Sequence, residues 1–383
     1  MTYIYFFPEV IMYLLALQSH RLSYKTVKLC FFVICAMWVI IFGLRAYTVG
    51  NDTIGYSLFF QNKNVNYEGY GNVSTGTDLE LGFLFIARLL KKITDSPTVF
   101  FTFISGWMFY MIYKIYLIAC GYQRCIGNLL VVFIIANTFV TLMVATRQAT
   151  SICVFLTGLY LILRNRDSYN GNWKEVILNK KFLIGLIIIA LSVTVHKSSI
   201  ILVPILICAF FLRFKKRTMY IMIGVSLVFS MFFMSTLGNL FSVFFVTFGN
   251  FEISSINSLV MEQYSADFGG NSQKIMTYMA WVVPAILTIH LSDEKQYKSF
   301  FFNCYIFSVC TFLLFSTSFL IERINTILVL LGFTQFLPAI VTRSQKWRYV
   351  YIFFIFLMLA KAFMRYGNWP VNDSCIPYYF FWE

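Results

Sequence analysis

Apolar runs, mostly about 16 to 22 residues long, stop again and again at short polar or basic clusters along this chain. At a rise of about 1.5 Å per residue, such runs match helices crossing a hydrocarbon layer roughly 30 Å thick. The pattern predicts spans at 3–18, 29–44, 98–119, 127–146, 148–163, 182–195, 198–212, 218–246, 275–291, 299–320, 324–341 and 349–364, with both termini outside. The fold class is therefore all-α, a polytopic membrane protein of about 12 spans. A barrel is disfavoured, because its strands would be about 10 residues long and only half apolar. The run at 79–93 is short, carries Glu80 and Arg88 and ends in Lys91 and Lys92. It reads as an outer interfacial or re-entrant helix, since a thirteenth span would reverse every later loop. The run at 3–18 follows no basic region and precedes no small-residue cleavage site, so it reads as a retained span. The long run at 218–246 has room to end in a helix on the outer surface.

Composition agrees with this pattern. Hydrophobic residues make up 59% of the 383 positions and charged ones only 12%, with a mean hydropathy of +0.74. That much apolar surface does not fit inside a soluble core. One membrane domain over 1–383 is expected, with an outer loop and interfacial helix at 45–97 and a second outer loop at 247–274.

The net charge of +14 raises the question of nucleic acid, and its distribution answers it. Basic clusters around Arg21, at Arg124, from Arg164 to Lys181, and around Arg213, Lys298 and Arg343 fall at alternate loops. That is the signature of cytoplasmic loops, so the charge sets orientation rather than a nucleic-acid surface. The nine cysteines are odd in number and lie mostly inside apolar runs, which excludes a disulfide framework. No CxxC or His/Cys spacing points to structural zinc.

The remaining polar chemistry gathers at the outer boundary. Gly43 to Tyr56 reads G-L-R-A-Y-T-V-G-N-D-T-I-G-Y and sets Arg45, Asp52 and Tyr56 among small residues. Thr146-Arg147-Gln148, the turn at Val195 to Ser199 around His196, and Glu322-Arg323 carry charge between apolar runs. An arginine with almost no loop to dissolve in calls for an anion, a carboxylate or a water-filled cavity. One alone would snorkel or pair with an acid such as Glu322 or Asp52. Three on one face, Arg45, Arg147 and Arg323, favour an anionic ligand, and a guanidinium matches phosphate. His196 is the one histidine of three on that face, a packing residue or a base. Glu80 opens a helix, where a carboxylate also serves the helix dipole. Amides, hydroxyls and rings between Asn62 and Thr77 suit a sugar or an ordinary loop.

These residues form a pattern: G-L-R, V-G-N-D-T with Tyr56, E-L-G-F from Glu80, R-Q at Arg147-Gln148, H-K-S-S from His196, E-R at Glu322-Arg323, and P-Y at Pro377-Tyr378. The chain resembles the EpsG-like family of Wzy-type polysaccharide polymerases, with Asn51 standing where that family more often has threonine or serine. The resemblance implies a GT-C-type glycosyltransferase in a bacterial inner membrane, working on its outer face without a nucleotide sugar. Such an enzyme moves a growing glycan from undecaprenyl pyrophosphate to the non-reducing end of a lipid-linked repeat unit, in O-antigen or exopolysaccharide synthesis, generally with inversion. Arg147 and Arg323 are then expected at the pyrophosphate, with Arg45 there or orienting Asp52. His196 is the first choice of base, before Asp52 or Glu80, and Gln148, Tyr56 and Tyr378 are expected to position sugar or phosphate. No cofactor is expected and no metal is required, although Asp52 with Asp78 and Glu80 leaves a metal open. The expected partners are the lipid-linked oligosaccharide, membrane lipid, a chain-length regulator and a flippase. An O-antigen ligase and a lipid-linked-sugar flippase or transporter are the rival readings. A surface-sugar acyltransferase lacks its H-x-x-x-[DE] arrangement at His196.

Overall fold

The computed structural model of the chain describes residues 4–18, 21–61, 79–120, 125–136, 142–143, 145–164, 179–230, 271–294, 298–315, 319–335, positions 349, 353, 356, 359 and 360, and 378–382. Among these residues the secondary structure is helical, with one isolated β-bridge between Arg45 and Phe380. The chain clusters into two compact units, Met1–Val203 with Tyr349–Glu383, and Pro204–Arg348.

The first unit holds α1 (Phe6–Gln18), α2 (Tyr24–Gly43), α3 (Asn51–Phe60), α4 (Leu81–Lys91), α5 (Pro97–Ala119), α6 (Cys125–Ala136), α7 (Thr146–Arg164) and α8 (Lys180–Val195). A 3-10 turn, Lys197–Ile201, then leads into α9 (Leu202–Phe211), which from Pro204 on belongs to the second unit. Their starts follow from the sequence. The Ser23 hydroxyl accepts from the Thr26 amide ahead of α2, and Asn179 Oδ1 accepts from the Lys181 amide ahead of α8, each satisfying an orphan donor of the first turn. Proline opens α5, where no amide hydrogen is needed.

Three of these helices, α2, α5 and α7, are long and apolar enough to cross a membrane, and α1 and α9 are shorter apolar helices. The protein is a multi-pass membrane protein. The expectation of twelve spans meets these three and several shorter helices; positions 231–246 and most of 349–364 lie outside the described residues.

Close helix approach is bought with glycine. A Cβ on Gly158 of α7 would stand 2.5 Å from the Gly185 carbonyl of α8, and one on Gly185 would stand 2.8 Å from the Gly158 carbonyl. This is the small-residue contact that lets membrane helices touch backbone to backbone. Gly82 of α4 likewise lies against Thr194 of α8, where a Cβ would fall 2.8 Å from the Thr194 carbonyl and closer still to its hydroxyl.

Within 45–97 the structure places two helices, α3 and α4, the second over the run at 79–93. Gly50 precedes α3 with φ 95°, a turn that other residues enter at a cost. Rings then hold α3, α4 and α5 together. Phe60 stacks on Phe100 at 4.8 Å, and Phe83 meets Tyr56 at 5.7 Å and Phe100 at 6.1 Å. The segment 378–382 closes the same region: the Ala46 amide donates to Tyr379, and the Phe381 amide donates to Leu44, both at 2.9 Å.

The second unit contains helical residues 216–230, α10 (Asn271–Leu291), α11 (Phe300–Phe315) and α12 (Phe319–Gly332), with a 3-10 turn Phe333–Gln335. Trp281 stacks on Phe312 at 4.1 Å and meets Phe333 edge-on at 5.4 Å. Asn303 donates its amide to the carbonyls of Ala209 and Leu212, each at 2.8 Å, which satisfies acceptors at the end of α9. Glu322 and Arg323 stand within α12, where the sequence pattern puts a turn between helices.

Candidate functional site

Three helix ends of the first unit converge on one carboxylate. Glu80 occupies the N-cap position of α4, yet its side chain makes no capping hydrogen bond. Instead Oε2 accepts from Arg147 Nη1 and Oε1 pairs with His196 Nδ1, each at 3.1 Å. Arg147 comes from the first turn of α7, and His196 is the residue that ends α8. Arg147 Nε also donates to the Tyr56 hydroxyl of α3, at 2.8 Å. The helix-dipole alternative for Glu80 thus gives way to a charged clamp joining four elements.

The clamp is half-sheltered. Side-chain exposure is 11% for Glu80, 18% for His196 and 27% for Arg147, so the guanidinium and imidazole reach an accessible space. Burial by itself raises the Glu80 carboxyl, but the His196 hydrogen bond, the Arg147 charge and the imidazole beside it outweigh that. They lower it from the ordinary 4.5 to about 2. Glu80 is therefore an ionised acceptor at neutral pH and a weak base. An ionised carboxylate only accepts, so Nδ1 is the donating nitrogen of His196, and in the neutral ring Nε2 is left as the proton acceptor.

A hydroxyl network fixes the turn that carries His196. Ser151 of α7 meets Ser199 at 2.6 Å and donates to the Ser192 carbonyl at 2.8 Å. The His196 amide donates to that same carbonyl, and all three serines are buried. Ser151 and Ser192 were not singled out in the sequence. The available signal was the spacing of Ser151, four residues after Arg147 on one face of a helix.

Other predicted residues have different surroundings. Arg45 is buried, donates to Phe42 O and to Met143 O, the latter at 2.8 Å, and donates through Nε to the Thr53 hydroxyl at 3.3 Å. Its guanidinium lies 4.2 Å from the Phe101 ring centroid. Tyr378 is fully buried, donates to the Ile41 carbonyl at 2.6 Å and packs edge-on against Tyr5. Gln148 is buried on α7 next to Arg147. Asp52 is the second residue of α3 and Arg323 lies in α12; both side chains are outside the described residues, as are Asp78 and Pro377. Among the described residues, no group of three His, Cys, Asp or Glu side chains stands together to hold a metal.

Comparison with known proteins gives one match: the model of the EpsG family aligns with residues 28–380, nearly the whole chain. No curated protein and no solved structure matches.

Proposed function

The chain belongs to the EpsG family of Wzy-type polymerase-like membrane proteins, and from that premise we propose that it is a polysaccharide polymerase working at the Glu80 clamp. The substrate in this reading is a glycan on undecaprenyl pyrophosphate, transferred to the non-reducing end of a second lipid-linked repeat unit with inversion. The observation that carries the site is the pairing of Glu80 with both Arg147 and His196.

The acceptor hydroxyl attacks the anomeric carbon, and the bond from that carbon to the pyrophosphate oxygen breaks with its electrons going to the leaving group. The hydroxyl proton passes to His196 Nε2, the nitrogen left as acceptor by the Glu80 contact. Arg147 faces the charge that develops on the pyrophosphate, and its contacts to Glu80 and Tyr56 hold the guanidinium in place beforehand. Glu80 acts as a positioning residue for both partners. The assignment of Arg323 to the same anion rests on the E-R motif, and that of Asp52 as a second base candidate on V-G-N-D-T. Arg45 and Tyr378, tied to backbone carbonyls, are assigned to holding the loop ahead of α3 rather than to the ligand.

The test is complementation of a polymerase-deficient strain that carries the matching repeat-unit genes, comparing wild type, Arg147→Ala and His196→Ala at equal membrane abundance. Wild type restores a glycan ladder, and both variants leave single repeat units. A wild type that restores no ladder, yet is needed to move the single repeat unit from its carrier to lipid A, means a ligase. Lipid-linked repeats trapped on the cytoplasmic side in the protein's absence mean a transporter, and overturn the enzyme.

A further inference from the structure

A cavity of about 560 Å³ lies on the other side of α3 from the clamp, within the first unit. Its volume falls in the roughly 300–1,000 Å³ range of small-ligand sites. Ser57 and Gln61 of α3 line it one helical turn apart, with Thr98 of α5 supplying a further hydroxyl. Tyr47 and Phe381 present rings at 61% and 52% exposure. Arg45 is the one charged residue among the described lining, and its guanidinium already serves Phe42, Met143 and Thr53. A phosphate entering here would compete with those carbonyls for the same donors.

We propose that this cavity binds a neutral saccharide segment, a sugar of the glycan remote from the bond being made. Amide and hydroxyl groups beside aromatic faces are the chemistry that recognises a pyranose: hydroxyls are met by Gln61 and Thr98 and by Ser57, whose Oγ donates to the Thr53 carbonyl and is left to accept, and the apolar ring faces by Tyr47 and Phe381. The backbone beneath both rings is held in advance: the Phe381 amide donates to the Leu44 carbonyl, and Ala46, next to Tyr47, donates to the Tyr379 carbonyl. A backbone ordered before binding loses little freedom when a sugar arrives. A polyprenyl chain is the competing occupant; three polar side chains and a buried guanidinium make the cavity a poor match for it.

The choice of glycan rests on the polymerase reading, and the test separates the two. The probe is the free repeat-unit oligosaccharide, released from its carrier by mild acid, titrated into the full-length protein in nanodiscs and followed by calorimetry. Wild type binds it, while Tyr47→Ala and Gln61→Ala, both at exposed positions, bind roughly tenfold more weakly. No binding by wild type, or equal binding by the Tyr47 and Gln61 variants, overturns the inference. So does a loss in those variants of binding to polyprenyl phosphate lacking sugar. Binding that follows this pattern in a protein shown not to polymerise leaves the saccharide site standing and removes only the polymerase.

Discussion

Glu80 commits both carboxylate oxygens to residues distant in the chain: Oε2 to Arg147 Nη1 and Oε1 to His196 Nδ1, each at 3.1 Å. Both partners are donors at those contacts. An amide in place of the carboxylate must turn its NH₂ toward one of them, so Glu80→Gln breaks one arm of the clamp whichever way it lies. Transfer falls on the order of 10²-fold, and Glu80→Asp, which keeps the charge and loses reach, falls between. Initial rates in proteoliposomes, normalised to monodisperse protein, measure this. Wild-type turnover in the Gln variant would remove Glu80 from the machinery.

The same carboxylate dictates an acid limb of stability. Its folded-state value is depressed to about 2 from 4.5, so its contribution is present above the ordinary value and is lost as pH falls from 4.5 through 2. Melting temperatures in detergent across that window fall more steeply for wild type than for Glu80→Gln. Parallel curves would show that the carboxylate is not held low.

Gly82→Ala tests how the clamp is assembled. The added Cβ meets the Thr194 carbonyl at 2.8 Å, a backbone atom that cannot rotate away, so α4 must move off α8. Glu80 lies two residues before this contact and His196 two residues after it. The expected cost is about 1–3 kcal/mol, with a loss of transfer larger than that of Leu79→Ala at the same helix end. Thr194→Ala added to Gly82→Ala restores part of the stability, because the hydroxyl clash goes and the carbonyl clash stays.

Tyr378→Phe separates packing from ligand binding. The ring stays against Tyr5 and only the bond to Ile41 is lost, at about 1 kcal/mol. Stability drops by that amount while the Michaelis constant for lipid-linked substrate stays unchanged. A raised constant at unaltered stability would return Tyr378 to the ligand.

The long spans were legible because the largely apolar runs at 29–44, 98–119 and 148–163 leave a helix little alternative in a membrane, and the helices Tyr24–Gly43, Pro97–Ala119 and Thr146–Arg164 cover them but for a residue at an end. The residues of the clamp were legible one at a time, as charges stranded between apolar runs. Their mutual contact was not, since 67 and 116 residues separate Glu80 from Arg147 and His196, and only the packing of α4 against α7 and α8 brings them together. Arg45 and Tyr378 show the opposite limit. A boundary arginine or tyrosine is satisfied equally by a ligand or by carbonyls such as those of Phe42, Met143 and Ile41, and acceptors on the backbone leave no trace in side-chain identity. α3 was hidden for a third reason: N-D-T-I-G-Y is rich in turn formers, and it is the rings of Tyr56 and Phe60, packed on α4 and α5, that make it a helix.

Tyr56 and Ser57 are neighbours in the chain, yet the first touches Arg147 and the second lines the cavity. A ten-residue helix is stiff on this scale, so a rotation that suits one side is imposed on the other. Occupancy of the cavity and geometry of the charged clamp are then two readings of one coordinate, the angle of α3. If the cavity holds a sugar and the clamp an anion, reciprocity follows: whatever the sugar adds to the affinity for the anion, the anion returns to the affinity for the sugar.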